Sequence, residues 1–219
     1  LATFIPIVAA FPIVPVLCDE SASKNVRYSA HRGTRASFIA GRCLTAMLSG
    51  GLAVLCGFAL FAGGVFLMFP SIGEYAPELR EMSEWWIAGT YPWFSKFGYS
   101  YLVLLEFVEM LLYGAFYAVP ALMVSAFLKN KYFVLCIPFL FKYMASYIHT
   151  GLTVNAYESI ETADATLLEM LSATDPDALG ELFSYGDTLW RTLSYHFILL
   201  LFAFLLYYVV MNRRVEFGE

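Results

Sequence analysis

Five stretches of the chain are almost free of charged residues, and polar segments separate them. They cover residues 1–18, 43–69, 99–128, 132–149 and 192–212. A helix crosses a hydrocarbon core of ~30 Å with about 20 apolar residues, so each stretch is predicted to be a membrane-spanning helix. Pro6, Pro12 and Pro15 lie within the first stretch, where they predict a bend.

Three Glu and Lys side chains lie within the predicted spans, and such groups are functional candidates because a charge inside a membrane is costly. Glu106 and Glu109 are three residues apart and therefore share one helix face. Lys142 is the candidate partner, but a hairpin that turns at residues 129–131 places it level with Ala118, roughly 13 Å along the helix from Glu109. Two arrangements remain open. Proline kinks and a bent lysine side chain bring the charges together, or Glu109 faces a polar or water-filled interior.

The uncharged span 43–69 carries glycine at every seventh position, at Gly50, Gly57 and Gly64. Small residues let helix backbones approach closely in lipid, where no hydrophobic force drives helices together. We therefore expect this helix to be centrally packed, or to lie at an interface between subunits. The alternative is that these glycines have no packing role and reflect the frequency of glycine in membrane helices.

The composition indicates one integral membrane domain over residues 1–219, an all-α, polytopic helix bundle. Apolar residues make up 60% of the chain and charged residues 14%, against roughly 45–50% and 25% in soluble domains. The net charge of −5 excludes a general basic surface for nucleic acid. The four cysteines lie in or beside apolar runs without metal-ligand spacing, so we interpret them as small apolar residues.

The sequence contains no motif for catalysis or nucleotide hydrolysis. It lacks GxxxxGK[ST], GxGxxG, HExxH and GxSxG. His149 and His196 lie near span ends, where we interpret them as structural residues. We therefore expect no enzymatic activity, no metal site and no cofactor bound by this chain, and any ATPase would be a separate polypeptide.

The distribution of charge predicts the orientation of the spans. Nine of the 13 Lys and Arg lie in residues 19–42, residues 129–131 and the C-terminal tail, whereas 12 of the 18 Asp and Glu lie in residues 70–98 and 150–191. The positive-inside rule places the basic segments and the C-terminus in the cytoplasm, and the acidic segments become outer loops. Five spans then place Leu1 outside. Because the sequence also begins without Met, we expect a further span before it, giving six in the intact protein. A cleaved signal peptide is the alternative.

The two outer loops have different compositions. Residues 70–98 begin with acids and end with aromatic residues, which favours an anchoring aromatic belt over a platform for ligand stacking. Residues 150–191 are predicted to form two short helices, at 162–171 and 177–183. The eight acids of this loop either steer cationic substrates or are simply solvated.

The cytoplasmic loop resembles that of the ABC-2-type permease family. Acidic residues follow an apolar span, and basic residues at regular spacing lead through an aromatic residue into the next span. The residues that carry this resemblance are Asp19, Glu20, Arg32, Arg35, Phe38 and Arg42. A tight cytoplasmic turn, a long outer loop before the last span and a short basic tail extend the resemblance over the whole chain.

The resemblance implies a type V exporter-like architecture with six spans, paired as a homodimer or heterodimer. It also implies a separate ATP-binding subunit, which carries ATP and Mg²⁺ and binds residues 19–42. That segment would be the coupling loop, with the charges of Asp19, Glu20, Arg32, Arg35 and Arg42 facing the ATPase. The loop 150–191 would match the outer helices that help close the outer gate.

We therefore expect the permease subunit of an ATP-driven exporter in the cell membrane, most simply the bacterial cytoplasmic membrane. Its cargo is expected to be a peptide, an antibiotic or a lipid-like amphiphile, because the lining is apolar and aromatic. Two alternatives remain. One is a proton-coupled secondary transporter that uses Glu106 and Glu109, and the other is a non-transporting assembly or sensor subunit.

Overall fold

The structure is a computed structural model. It describes residues 4–22, 34–68, 99–128, 130–158, 174–181 and 189–217. Across these ranges the secondary structure is helical and contains no strand. A short 3-10 helix, Ala178–Glu181, precedes the last helix. The α-helices are α1 (Ile5–Ala10), α2 (Val14–Ala22), α3 (Arg35–Met68), α4 (Tyr99–Ser125), α5 (Lys131–Glu158) and α6 (Leu189–Phe217).

Four helices are long and apolar enough to cross a membrane, as in a multi-pass membrane protein. Their candidate spans are Ala36–Met68, Tyr101–Ser125, Lys131–Asn155 and Trp190–Arg213. They confirm four of the predicted spans. Residues 1–18 differ, because a turn at residues 11–13 separates α1 from α2. This break confirms the predicted bend, while the five-span count and the type V architecture stay predictions.

Side-chain caps help to fix where α3 and α5 begin. Thr34 Oγ1 accepts a hydrogen bond from the backbone N–H of Ser37 at 3.3 Å. Asn130 Oδ1 accepts one from the N–H of Tyr132 at 3.1 Å. Such caps satisfy N–H groups that have no partner within the helix. Both helices begin at one end of the bundle, where α4 and α6 end, and we call this the basic end.

The most buried span is α4. Within its most apolar window 44% of residues are buried, against 11% for α3, 17% for α5 and 11% for α6. Gly114 and Ala118 give α4 a narrow surface that α3 approaches closely. The central position within this chain therefore belongs to α4, whereas the sequence had suggested the helix over residues 43–69.

The helices α3 and α4 approach each other closely at Gly50 and Gly114. A Cβ atom built on Gly50 would lie 2.6 Å from Ala118 Cβ and 2.7 Å from Ala9 O, and one on Gly114 would lie 2.7 Å from Gly50 O. No side chain fits at such distances. The backbones of α1, α3 and α4 thus meet at a point that requires glycine.

The other two glycines of the seven-residue repeat have different surroundings. A Cβ on Gly57 or Gly64 would meet no atom within 4 Å among the described residues. Within one chain, close packing therefore involves Gly50 alone of the three. The expectation of an interface between subunits at Gly57 and Gly64 stays a prediction.

Two apolar clusters form the interior of the bundle. The cluster nearer the basic end includes Val14 of α2, Ile39 of α3, Leu122 of α4 and Tyr207 of α6. The second lies farther from the basic end and comprises Ala9, Val54, Tyr113, Phe116, Tyr117 and Leu179. Leu179 belongs to the segment between α5 and α6, so part of that segment lies inside the bundle.

The outward faces of α3, α5 and α6 are apolar and exposed. Examples are Leu60 at 79% exposure, Tyr147 at 76% and Phe197 at 66%. An apolar surface this extensive is incompatible with a monomer in water. In lipid, by contrast, it is the expected exterior of a helix bundle, since helices satisfy their own backbone hydrogen bonds.

Candidate functional site

The segment of residues 174–181 enters the bundle between α4 and α6. Its Pro176 is buried, and Leu179 is 3% exposed within the cluster of Tyr113 and Phe116. This segment lies in the long loop between α5 and α6. It is held by apolar contacts and by three polar contacts with residues of the spans.

The polar contacts join Asp177 and Pro176 to α4 and α5. Lys142 Nζ lies 2.6 Å from Asp177 Oδ1. The hydroxyl of Tyr113 donates to the same Oδ1 at 2.7 Å, and the hydroxyl of Tyr117 donates to the carbonyl oxygen of Pro176 at 2.8 Å. A carboxylate that accepts from both an ammonium and a hydroxyl forms strong, charge-assisted hydrogen bonds.

Local sequence explains the shape of the segment. Asp175 Oδ1 accepts from the backbone N–H of Asp177 at 2.9 Å, and the carbonyl of Asp175 accepts from the N–H of Ala178 at 3.0 Å. Aspartate commonly makes such turns, and Pro176 presets the backbone angle between the two partners. The turn leads into the 3-10 helix Ala178–Glu181, where the sequence predicted a short helix over residues 177–183.

The ion pair lies near the middle of the membrane-spanning bundle. Tyr113 is 12 residues from Ser125, the end of α4, and Lys142 is 11 residues from Lys131, the start of α5. At 1.5 Å per residue these positions are about 18 Å and about 17 Å from the basic end. Half of a ~30 Å hydrocarbon core is about 15 Å. Asp177, although part of a loop, therefore lies about as far from the basic end as half the thickness of a hydrocarbon core.

The two charges differ in exposure. The side chain of Lys142 is 9% exposed, whereas that of Asp177 is 48% exposed. The lysine also lies 5.5 Å from the centre of the Tyr113 ring, within range of a cation–π interaction. The ammonium is thus enclosed by the spans, while the carboxylate borders open space.

The two intramembrane glutamates occupy different environments. Glu109 is buried, at 3% exposure, one helical turn before Tyr113. Glu106 borders a cavity of about 310 Å³ between α3 and α4 that is otherwise lined by apolar residues such as Phe58 and Val65. The prediction of a buried glutamate in a polar interior is compatible with this placement.

Two further cavities meet at Phe116, and the described lining of neither includes Lys142 or Asp177. The first, of about 360 Å³, is lined by Leu179, His196 and Trp190 among others. The second, of about 310 Å³, is lined only by apolar residues of α4, α5 and α6. Phe116 and Leu200 border both cavities. Together they extend from a partly polar wall to a purely apolar one.

His196 forms part of the wall of the first cavity. It is 3% exposed, its Nδ1 lies 2.8 Å from the carbonyl oxygen of Thr192, and its ring packs edge-on against Phe116 at 4.9 Å. A histidine with a backbone hydrogen bond and an aromatic neighbour is well accommodated in an interior. The structural role expected from the sequence stays a prediction.

At the basic end, ion pairs join α2 to two other helices. Glu20 pairs with Arg42 of α3, and Asp19 Oδ1 lies 3.9 Å from Lys131 Nζ of α5. The Arg42 guanidinium also lies over the Phe38 ring, at 4.6 Å. Three of the five predicted coupling residues, Asp19, Glu20 and Arg42, are thus brought to one end of the bundle.

Several predicted features lie outside the described residues. Arg32 does, and of Arg35 only the backbone is described, where it begins α3. The outer loop 70–98 and the predicted helix over residues 162–171 also lie outside the described ranges. Their roles stay predictions.

Sequence reasoning identified Lys142 but missed the roles of Asp177, Tyr113 and Tyr117. A usable signal was the lysine itself, because a buried ammonium requires an anionic or polar partner. The nearby loop offers eight acids, and Asp175–Pro176–Asp177 is a turn sequence that can place a carboxylate. Nothing in the spacing selects one acid over the others.

Among the residues that the structure describes, no group of three or more His, Cys, Asp and Glu could hold a metal ion. All four cysteines are free thiols. The chain matches no protein-family model, no curated protein and no solved structure with which it was compared.

Proposed function

We propose that the chain is the permease subunit of an ATP-driven exporter and works with a separate ATP-binding subunit. The observation that carries this proposal is the pair of ion contacts at the basic end. Through Glu20–Arg42 and Asp19–Lys131, the end of α2 is tied to both α3 and α5. A protein that binds the basic loop between α2 and α3 would therefore act next to contacts that involve three helices.

Two further observations favour transport of an amphiphile. A polar cluster around Lys142 lies at mid-membrane depth, and such groups commonly mark substrate paths. Separately, the two cavities that meet at Phe116 have walls that change from partly polar to apolar. Cargo would pass as ATP-driven movement at the basic end changes the packing of the helices around this cluster. A second copy of the chain, or a homologue, would complete the transporter.

Charge reversal in the predicted coupling loop tests the proposal. We expect Arg32→Glu and Arg35→Glu to abolish stimulation of the partner's ATPase by the permease. The new carboxylates would replace basic side chains that are predicted to face the ATPase, and they would oppose docking. Arg80→Glu, in the loop predicted to lie on the other side of the membrane, is the matched control and should leave stimulation unchanged. Equal stimulation in all three variants would count against the exporter.

A proton-coupled secondary transporter is the second candidate, and the burial of Glu109 favours it. A carboxyl group at 3% exposure inside a membrane bundle is a plausible proton carrier. This alternative predicts flux driven by a pH gradient in proteoliposomes without ATP, and loss of that flux in Glu109→Gln. Glu106→Gln, at the wall of the cavity near Phe58, shows whether both glutamates take part.

A further inference from the structure

We propose that the cavity of about 310 Å³ between α3 and α4 binds a lipophilic organic cation, which is recognised by Glu106 and by the phenylalanines around it. The ligand would carry one positive charge on an aromatic body. The inference rests on the proposed function only for the idea that this cation is cargo. The binding site itself is argued from residues that line one cavity.

The walls of this cavity combine one carboxylate with several phenyl rings. Glu106 lines it from α4, and Phe58, Phe61 and Phe66 line it from α3. The ring of Phe58 packs edge-on against that of Phe107, with the ring centres 5.6 Å apart. A positive charge is attracted both to a carboxylate and to the face of an aromatic ring. A bound cation would therefore meet two kinds of favourable partner in the same space.

The same walls disfavour other classes of ligand. The described lining contains a single carboxylate and otherwise only apolar residues, whereas a hard metal cation requires several oxygen ligands. An anion would be repelled by Glu106. A neutral apolar molecule would remove water from the carboxylate without supplying a positive charge in return, which is unfavourable. The lining thus selects a cation with an apolar body.

Binding does not require Glu106 to give up the interaction that it already makes within the chain. A carboxylate has two oxygens with about four acceptor sites between them. Its charge also acts over several ångströms on any cation in the cavity. A cation without N–H groups, such as a phosphonium, needs no hydrogen bond at all. Glu106 can therefore keep its present contact when the ligand binds.

The cavity lies at the end of the bundle where the predicted acidic loops join the spans. Glu106 is 19 residues before Ser125, the end of α4, which places it about 28 Å from the basic end. Residues 70–98, which connect α3 to α4, and residues 150–191 together hold 12 Asp and Glu but only three Lys and Arg. Such an excess of acids raises the local concentration of cations. Two phenylalanines of the cavity are also exposed on α3, so a cation dissolved in the bilayer can reach it from the lipid.

Equilibrium binding of methyltriphenylphosphonium tests the site, because this cation has a neutral isostere, 1,1,1-triphenylethane. The purified full chain would be placed in phosphatidylcholine nanodiscs that hold one chain each. Binding of each tritiated compound would be counted by scintillation proximity. An excess of the unlabelled compound defines the saturable part and separates it from compound dissolved in the bilayer.

We expect saturable binding of the cation, and roughly tenfold weaker binding of the isostere because it lacks the charge. Glu106→Gln should weaken binding of the cation roughly tenfold. It should leave binding of the isostere unchanged, which would show that the cavity is intact. Phe58→Leu, which keeps the wall apolar, should weaken binding of the cation roughly threefold. Glu158→Gln, at the end of α5, removes a carboxylate that is not in the described lining and should match the parent chain.

Three results would overturn the proposal. The first is equal affinity of the two compounds for the parent chain, a comparison that needs no variant, or unchanged affinity of the cation in Glu106→Gln. The second is the absence of saturable cation binding, which would leave the cavity to lipid chains. The third is loss of that binding in nanodiscs that hold two chains, which would assign this face to a second copy.

No ATPase enters this measurement, so the site and the exporter can fail separately. A chain that binds the cation but recruits no ATPase would refute the exporter and leave the site standing. A chain that recruits an ATPase but does not bind the cation would do the opposite.

Discussion

At the scale of single residues, the central feature is the enclosed ammonium of Lys142 near the middle of the membrane. Its desolvation is offset by the Asp177 carboxylate at 2.6 Å and by the face of the Tyr113 ring at 5.5 Å. Removing the ion-pair partner of the exposed carboxylate costs less free energy than removing that of the buried ammonium. The two members of this pair therefore contribute unequally to stability.

This inequality can be measured by a double-mutant cycle. Asp177→Asn leaves the buried ammonium without its nearest carboxylate and should cost about 1–3 kcal/mol, less than the 3–5 kcal/mol of a fully buried pair because Asp177 is half exposed. Lys142→Met fills the space with an apolar side chain and should cost less. The double variant should resemble Lys142→Met alone.

Thermal unfolding in one detergent, with all four proteins compared, gives the coupling energy of the cycle. Additive effects of the two substitutions would mean that the residues do not interact. Tyr147→Phe on the exposed face of α5 is a suitable control, since this tyrosine is 76% exposed. Its unfolding temperature should match that of the parent chain.

At the scale of elements, the crossing of α3 and α4 at Gly50 and Gly114 fixes how the bundle packs. Each glycine faces the backbone of the other helix at a distance that excludes a side chain. On α3, a Cβ atom at Gly57 or Gly64 would meet no other described residue within 4 Å. One sequence repeat thus combines a position that needs glycine with two that tolerate larger residues within the chain.

Substitution by valine should separate these roles. Gly50→Val and Gly114→Val should force α3 and α4 apart. Each should lower the free energy of unfolding by more than the about 1–3 kcal/mol of ordinary overpacking, because backbone atoms cannot move aside. The yield of folded protein should fall severely. Gly57→Val is the control and should leave the unfolding temperature of the monomer unchanged. A separate measurement, size-exclusion chromatography, tests the predicted interface between subunits. Loss of dimers in Gly57→Val would support that interface.

The spans were predictable from sequence because apolar runs of this length have few other structures. Their ends were not. The helix predicted to begin at Cys43 begins at Arg35, since Thr34 caps it and a helix continues beyond the apolar part. The central position of α4 was missed because burial depends on which helices surround a given helix. Lys142 was identified because a charged side chain inside a membrane is energetically costly. Asp177 was missed because it lies in a loop predicted to be outside, and only tertiary packing brings it to the lysine.

At the scale of the whole molecule, the four described helices that are long and apolar enough to cross a membrane run antiparallel, and Glu106, Glu109 and Lys142 lie within them. The described basic end carries Arg42 and Lys131, each paired with an acid of α2. Exposed apolar faces on α3, α5 and α6 leave lipid or a second subunit as their neighbours. The orientation of this bundle in the membrane stays a prediction from the distribution of Lys and Arg.

Reporter fusions test that orientation. Green fluorescent protein joined after Glu219 should fluoresce, because the C-terminus is predicted to be cytoplasmic. Alkaline phosphatase inserted within residues 70–98 should be active, because it folds only outside. Active phosphatase at the C-terminus would invert the topology and remove the coupling loop from the side where ATP is available.

The most direct test of the exporter is the composition of the complex in native membranes. The chain would be isolated in mild detergent and its partners identified by intact mass. The account predicts a stoichiometric ATP-binding subunit that is lost on charge reversal at Arg32 and Arg35. A preparation free of any ATPase, with flux driven by a pH gradient alone, would contradict it and favour the carrier based on Glu109.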